Sequence, residues 1–513
     1  MKTTKRLLVA ATLLVAAAVG AEAQETTNIT ATDAKSLHEA LRQAREWRRT
    51  ADPRCSHGIS ITLKAGRYYM QEPLYLRPED SGTKASPTII RGEEGAVVCG
   101  EPRQRHTQLW PKEGMERLKG FDPQKRTITI ATPPKEVLEC VPTADQPDRQ
   151  FEMVVHQRWA IAILRIKSFA VRGDSVVVSF MEPESRLEFE HPWPQPVIGG
   201  ERGNSAFLLR TTELRDGIEQ LVVIDGASHV KFQGITFEHT CWNRPLHKGH
   251  VTLQGGFPLV DAYKLKESPG LPWDEGLENQ AWIERPVSAV SVRNASEVDF
   301  SECRFQHLGA TALDYESTDG GTIKDCTFED IGGTAIMAGS FAESPREVHR
   351  PYTDLANRCR GLHIIRNTIH DAANEDWGAV AIGCGYVREC TIRENSVSHV
   401  NYSGICIGWG WTPHDTGMTE NVVEGNTVSD YARQLYDAGG IYTLSNQPGS
   451  RITHNVISQP SAAPYATNHR AFCIYLDART DGFTISGNTT EGRTISRSEI
   501  GDNHPGPNLN FKQ

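Results

Sequence analysis

Five asparagines recur through the C-terminal half of the chain at nearly even steps, each opening a short β-prone run: Asn367-Thr-Ile, Asn395-Ser-Val, Asn426-Thr-Val, Asn455-Val-Ile and Asn488-Thr-Thr. The steps are 28, 31, 29 and 33 residues. Cys303-Arg-Phe and Cys326-Thr-Phe, 23 apart, look like earlier members of the same column. A unit of roughly 20 to 35 residues, built from short apolar strands and Gly/Asn corners, is the mark of a solenoid, here a parallel β-helix. One such coil cannot bury its apolar side alone, so coils must stack into a rod. Equivalent residues then lie roughly 4.8 Å apart, and an Asn amide can bond to the Asn above and below it. Asn also tolerates a left-handed backbone, which predicts that the column itself sits at the corners. The column is architectural, and the rod's long outer face suits an extended polymer.

Composition narrows the classes. The 513 residues, 38% hydrophobic and 23% charged, suffice for a large core or two modules. The formal charge of −10 and the lack of a basic stripe argue against a nucleic-acid partner. Met1-Lys-Thr-Thr-Lys-Arg, the apolar run Leu7 to Val19 and Ala21-Glu-Ala23 read as a signal peptide, residues 1–23, cleaved after Ala23. No later stretch approaches the ~20 apolar residues of a membrane span, so export to the periplasm or exterior is expected. Eleven Cys form no regular framework and no CxxC pair, which disfavours zinc. Cys303, Cys326, Cys384, Cys390, Cys406 and Cys473 fall in repeat strands or at their corners and read as small inward-facing residues.

The organisation expected is all-β: a parallel β-helix with an N-terminal capping helix and an inserted small antiparallel β domain. Thr32-Asp33 followed by Leu37, Leu41, Ala44 and Trp47 predicts an N-capped amphipathic helix that plugs the open end of the rod. It belongs with the first coils in residues 24–99, where Ile59 to Leu63, Tyr68 to Met70, Leu74 to Leu76 and Thr88 to Ile90 read as strands. The repeat disappears over 100–225, replaced by alternating strands such as Phe151 to His156 and Ser175 to Phe180. Residues 226–513 carry the main β-helix and the expected active site. Between 241 and 285 lies a loop with Trp242, Arg244, His247, His250, Trp273, Asp274, Glu275, Glu278 and Trp282, long enough to be functional, as a wall beside the binding face.

The coils between 375 and 480 depart from their own pattern. Asp437, in Tyr436-Asp-Ala-Gly-Gly-Ile-Tyr442, and Asp477, in Ile474-Tyr-Leu-Asp477, are acids beside apolar strands one coil apart. Two carboxylates, one with raised proton affinity, are what glycosidic cleavage needs. The rival reading is that each Asp caps a corner. Aligned on the Asn column without gaps, the two lie about seven strand positions apart, roughly 23 Å in a straight strand. They meet only if Gly439-Gly440 bends the chain. Trp409 and Trp411 flank Gly410 and could stack on sugar faces. Tyr442 and Tyr475 would line subsites. His469 and Arg470 could orient a hydroxyl or carboxylate, and Asp376 sits in the acidic turn His370-Asp-Ala-Ala-Asn-Glu-Asp376. That turn could hold Ca²⁺, but no calcium-loop spacing is present, so no cofactor or metal is expected.

The runs Gly404-Ile-Cys-Ile-Gly-Trp-Gly-Trp411, Tyr436-Asp-Ala-Gly-Gly-Ile-Tyr-Thr-Leu444 and Ile474-Tyr-Leu-Asp477 resemble secreted right-handed parallel β-helix proteins of polysaccharide-degrading Bacteroidetes. The resemblance is greatest to glycoside hydrolase family 141, which includes an α-L-fucosidase acting on a complex pectin and a xylanase. It extends to Val154-Val-His-Gln-Arg-Trp159 and His191-Pro-Trp193 in the insertion. It implies an exported hydrolase of a complex, plant cell-wall type polysaccharide, pectic or xylan, and places the family's presumed pair of aspartates on Asp437 and Asp477. This chain has Asp-Ala-Gly-Gly where an Asp followed by Gly residues is expected, and Leu-Asp-Ala-Arg where Leu-Asp-Glu-Gly is frequent. Two alternatives stand beside it: a polysaccharide lyase, for which basic residues are few beyond His469, Arg470 and Arg433, and a non-catalytic glycan-binding rod.

Overall fold

The computed structural model describes residues 26–141, 148–191, 194–261, 282–343, 346–347, 359–411, 415–491 and 506–512. The expected leader, residues 1–23, lies outside them, as do Trp193, Trp273, Asp274, Glu275 and Glu278. Three parallel sheets of 12, 10 and 9 strands run the length of a β-helix. Inward positions stack coil on coil: Phe232 on Phe300 at 4.8 Å, and Phe305 on Phe328 at 4.6 Å and 2°. Those spacings are the strand separation itself, because in-register parallel strands place like side chains directly above one another.

The asparagine column forms a hydrogen-bonded ladder. The Asn395 backbone N–H and Nδ2 both donate to Asn426 Oδ1 at 2.9 Å, and Asn426 does the same to Asn455. Cys326 precedes Asn367 in this column, and its N–H donates to Asn367 Oδ1 at 3.0 Å. The left-handed backbone is not on the Asn, as the sequence suggested, but on the residue before it: Arg366 at φ 53°, Glu394 and His454 at 57°. The preceding residue makes the corner so that the Asn side chain is free to point along the stack.

The helix Ala34–Arg49 is capped by Asp33, whose side chain accepts from the Ser36 N–H while Ser36 reaches back to the cap. It buries Leu37, Ala40, Leu41 and Ala44 in the same core as the coils. A strand that the sequence reading omitted, Thr27–Ala31, precedes it and pairs with Ile59–Leu63. The insertion is an eight-stranded antiparallel sheet between His106 and Glu213. The rod resumes slightly before residue 226, since Val222–Asp225 already pairs with Leu74–Leu76 and Ser288–Arg293.

The insertion folds back along one edge of the coils. Arg103 binds Asp330 at 2.7 Å, His106 meets Glu375 at 3.1 Å, and His156 bonds to the Gln434 carbonyl at 2.7 Å. Its apolar core also takes in Val251, Leu253 and Phe257 from the loop after 241, together with Met337, Phe341 and Trp409 of the rod. That loop contains a short helix, Arg244–Lys248, and a strand, Leu259–Asp261. All eleven cysteines are free. Cys303, Cys326, Cys384, Cys390 and Cys473 are buried as expected, whereas Cys406 is half-buried and faces outward into a cleft beneath the loop. No helix among the described residues is long and apolar enough to cross a membrane.

Candidate active site

The nine-stranded sheet presents one outward residue per coil in strict register: Asp314, Met337, Gly383, Cys406, Tyr442 and Tyr475. Arg285 takes Asp314 out of play, donating to both its carboxylate oxygens at 2.7 and 2.5 Å. The acids of interest lie at the far end. Asp437 precedes the strand Ala438–Thr443, and Asp477 follows the strand Ala471–Leu476. Their strands pair with constant offset from Ala438↔Ala471 to Thr443↔Leu476, so no residue is inserted and the two acids do stand at opposite strand ends.

A bend and two long side chains bring them into one cluster. A Cβ on Gly439 would lie 2.7 Å from the Ile441 carbonyl oxygen and 3.0 Å from Tyr475 Cβ. A straight strand keeps such atoms far apart, so the chain turns sharply at the Gly pair. Asp437 itself holds a left-handed φ of 62°, a conformation that costs a non-glycine residue energy. Each acid takes its phenol from the other coil. Tyr475 Oη donates to Asp437 Oδ1 at 2.8 Å, and Tyr442 Oη donates to Asp477 Oδ2. The two rings meet edge-on, with centroids 5.1 Å apart at 90°. Behind them, Arg470 Nη2 donates to Tyr475 Oη at 2.8 Å, and Gln254 Nε2 donates to Tyr442 Oη at 3.0 Å.

The two acids are unlike. Burial, and then the charge of Asp437, push the Asp477 carboxyl up to about 6, against the opposing hydrogen bond from Tyr442. Asp437 instead has a guanidinium beside it, with Arg470 Nε 3.3 Å from Oδ1. A carboxyl held up to about 6 beside one that faces a cation is the kind of asymmetry that acid/base cleavage uses.

The other expected residues are placed less uniformly. Tyr442 and Tyr475 are 4% and 2% exposed, so they orient the acids through their hydroxyls and offer no open ring face. Trp409 is 4% exposed and enclosed by Phe257 at 5.3 Å, Phe341 at 5.1 Å and Trp411 at 4.9 Å. It is a wall residue under the 249–258 loop, not an open stacking platform. Trp411 is half-exposed and packs between that wall and the tyrosine pair. Arg470 joins the acids, while His469 beside it is exposed. Asp376 is not with the pair: it lies in a separate cavity nearer the N-terminal end of the rod. Among the described residues no group of three His, Cys, Asp or Glu side chains could hold a metal ion. Sequence reading passed over Gln254 and Tyr402, whose hydroxyl donates to the Asp437 carbonyl at 2.9 Å. Neither has a motif, because both act across long sequence separations.

The model of the glycoside hydrolase family 141 insertion domain matches residues 98–218. A solved Bacteroides structure described as a glycoside hydrolase is 33% identical, with a TM-score of 0.85, covering 94% of this chain and 96% of that one. An alginate lyase from Paenibacillus sp. has 10% identity and a TM-score of 0.34, over 95% of this chain and 98% of its own. A surface protein and adhesin of Streptococcus pneumoniae has 10% identity and a TM-score of 0.34, over 95% and 86%. Both are too distant to bear on the site. No curated protein matches. At that identity and coverage, the chain belongs to the glycoside hydrolases, and its insertion is of the family 141 type.

Proposed function

We propose that the protein hydrolyses a glycosidic bond in a complex polysaccharide of the plant cell-wall type, pectic or xylan, with Asp477 as general acid and Asp437 as its partner. Asp477 protonates the leaving glycosidic oxygen. Asp437, as a carboxylate, either deprotonates the water that attacks the anomeric carbon or attacks that carbon itself before water releases the sugar. In either course one water is consumed: its hydroxyl goes to the anomeric carbon, and its proton goes to Asp437 where that carboxylate is the base, or back to Asp477 where Asp437 is the nucleophile. Two carboxylates and water suffice, so the reaction written this way calls for no cofactor. An α-L-fucosidase or xylanase type activity is the specific form proposed, in an exported protein whose mature chain begins at Gln24.

One observation carries the reading: the crossed tyrosines hold two carboxylates in unlike surroundings, with Asp477 raised to about 6. The test is digestion of a panel of plant polysaccharides and their oligosaccharides, following reducing ends and ultraviolet absorbance together. New reducing ends without absorbance from unsaturated uronates are expected. Unsaturated products would make it a lyase, and oligosaccharide binding without any cleavage would make it a glycan-binding rod.

A further inference from the structure

A second cavity of about 250 Å³ runs along the sheet edge from Val287 and Thr311 to Asp376, and its near end lies three strands before Asp477, counting Ile382, Ile405, Ile441 and Ile474 in register. Trp242, His250 and Asp376 form part of its lining, with Arg244, Glu219 and Glu284. His250 is held by backbone bonds in both directions with Ile163 of the insertion, at 2.7 and 2.8 Å. Its ring is 1% exposed, meets Trp242 edge-on at 4.6 Å, and places Nε2 3.0 Å from Asp376 Oδ2. Yet neither ring nitrogen has a well-aligned hydrogen bond among the described residues, and neither does the buried Nε of Arg244. Buried polar atoms are normally satisfied, and orphans gathered at one cavity mark a place where something else supplies the partner. The loop is drawn tightly onto this place, since a Cβ on Gly256 would sit 2.7 Å from Asp376 Oδ2.

Charge selects the ligand class. Arg244, Lys248 and Arg285 face Glu219, Glu284 and Asp376 around the cavity, three against three. Arg244 Nη1 is already bound to Glu284, and Arg285 to Asp314. Lys248 is the remaining cation and is exposed to solvent, whereas an aromatic wall beside an acceptor carboxylate and imidazole and guanidinium donors suits a neutral polyol. Gly255 lines both this cavity and the narrow cleft with Tyr402 and Tyr442 that leads toward the acids. Three strand steps span roughly 14 Å, the reach of an oligosaccharide.

We propose that this cavity is a second carbohydrate subsite, holding one neutral sugar unit of the glycan whose scissile bond lies at Asp437 and Asp477. It rests on the hydrolase reading of that acid pair. Asp376 accepts from a sugar hydroxyl, His250 Nδ1 and Arg244 Nε donate to others, and Trp242 covers a C–H face.

Saturation-transfer NMR on the intact protein tests it, with neutral hexoses, 6-deoxyhexoses and pentoses set against glucuronate and galacturonate. At least one neutral sugar should bind. Its affinity should fall at least tenfold in Trp242→Ala and in His250→Gln, each checked for an unchanged melting temperature, and persist in Asp437→Asn. Absence of neutral-sugar binding, preference for the uronates, or loss of binding in Asp437→Asn with retention in Trp242→Ala would each overturn the subsite. Sugar bound at Trp242 with no polymer cleaved would leave the subsite standing and remove the hydrolytic reading. Cleavage with no sugar bound there would do the reverse.

Discussion

Tyr442 and Tyr475 occupy the same register on adjacent strands, yet their hydroxyls serve acids at opposite strand ends. The hydrogen bond from Tyr442 stabilises the charged form of Asp477 and so lowers its proton affinity, while burial and Asp437 raise it. With Asp477 as general acid, activity should decline as pH rises through about 6, where its proton is lost. Tyr442→Phe removes the one lowering hydroxyl, so the alkaline limb of the kcat/KM profile should move to higher pH. A limb that stays in place or moves down would separate Asp477 from the acid role. At this scale the sequence was informative about which acids to consider, since both stand beside apolar strands in a coil that breaks its pattern. It could not reveal their meeting. That depends on a bend at Gly439 and on the length of a tyrosine side chain, neither of which alters strand register.

Among the elements, the Asn ladder and the insertion behave differently toward perturbation. Asn426 accepts two bonds from Asn395 and donates to Asn455 and to the Ile392 carbonyl, all buried. Asn426→Ala strands those partners, and at about 1–3 kcal/mol per buried unsatisfied group it should cost several kcal/mol. Asn488→Ala, at the half-buried end of the ladder, should cost clearly less in the same denaturant titration. Equal losses would mean that the ladder is not the corner's support. The insertion is tied to the rod through His156, which is fully buried and whose pKa is lowered to about 4, chiefly by burial. A histidine depressed in the folded state stabilises it above its unfolded pKa of about 6.5, and that contribution drains away as pH falls toward about 4. The loss should reach about 3 kcal/mol, and His156→Gln should flatten this part of the stability–pH curve. A mutant curve as steep as the wild type would contradict it. The period of the coils and the strands of the insertion were visible as patterns of alternation. The docking of one on the other was not, because His156–Gln434 and His106–Glu375 join residues hundreds of positions apart with no local signature.

For the whole molecule, the β-helix supplies a rigid face, and the insertion with the 249–258 loop builds a wall along it. This division explains why the residues that departed from the coil pattern gather near one end. Coils that only stack need asparagines, inward aromatics and corners, whereas those beneath the wall must also hold acids and their supports. It also explains why Trp409, which looked like an open platform from its Gly neighbours, is enclosed: the loop that covers it is more than a hundred residues away in sequence. The most direct measurement is the hydrolysis rate of Asp437→Asn and Asp477→Asn on a glycan that the wild-type protein cleaves, with melting temperature recorded for each. Both rates should fall by about 10²-fold or more with the fold retained; a wild-type rate in either folded variant would contradict the account.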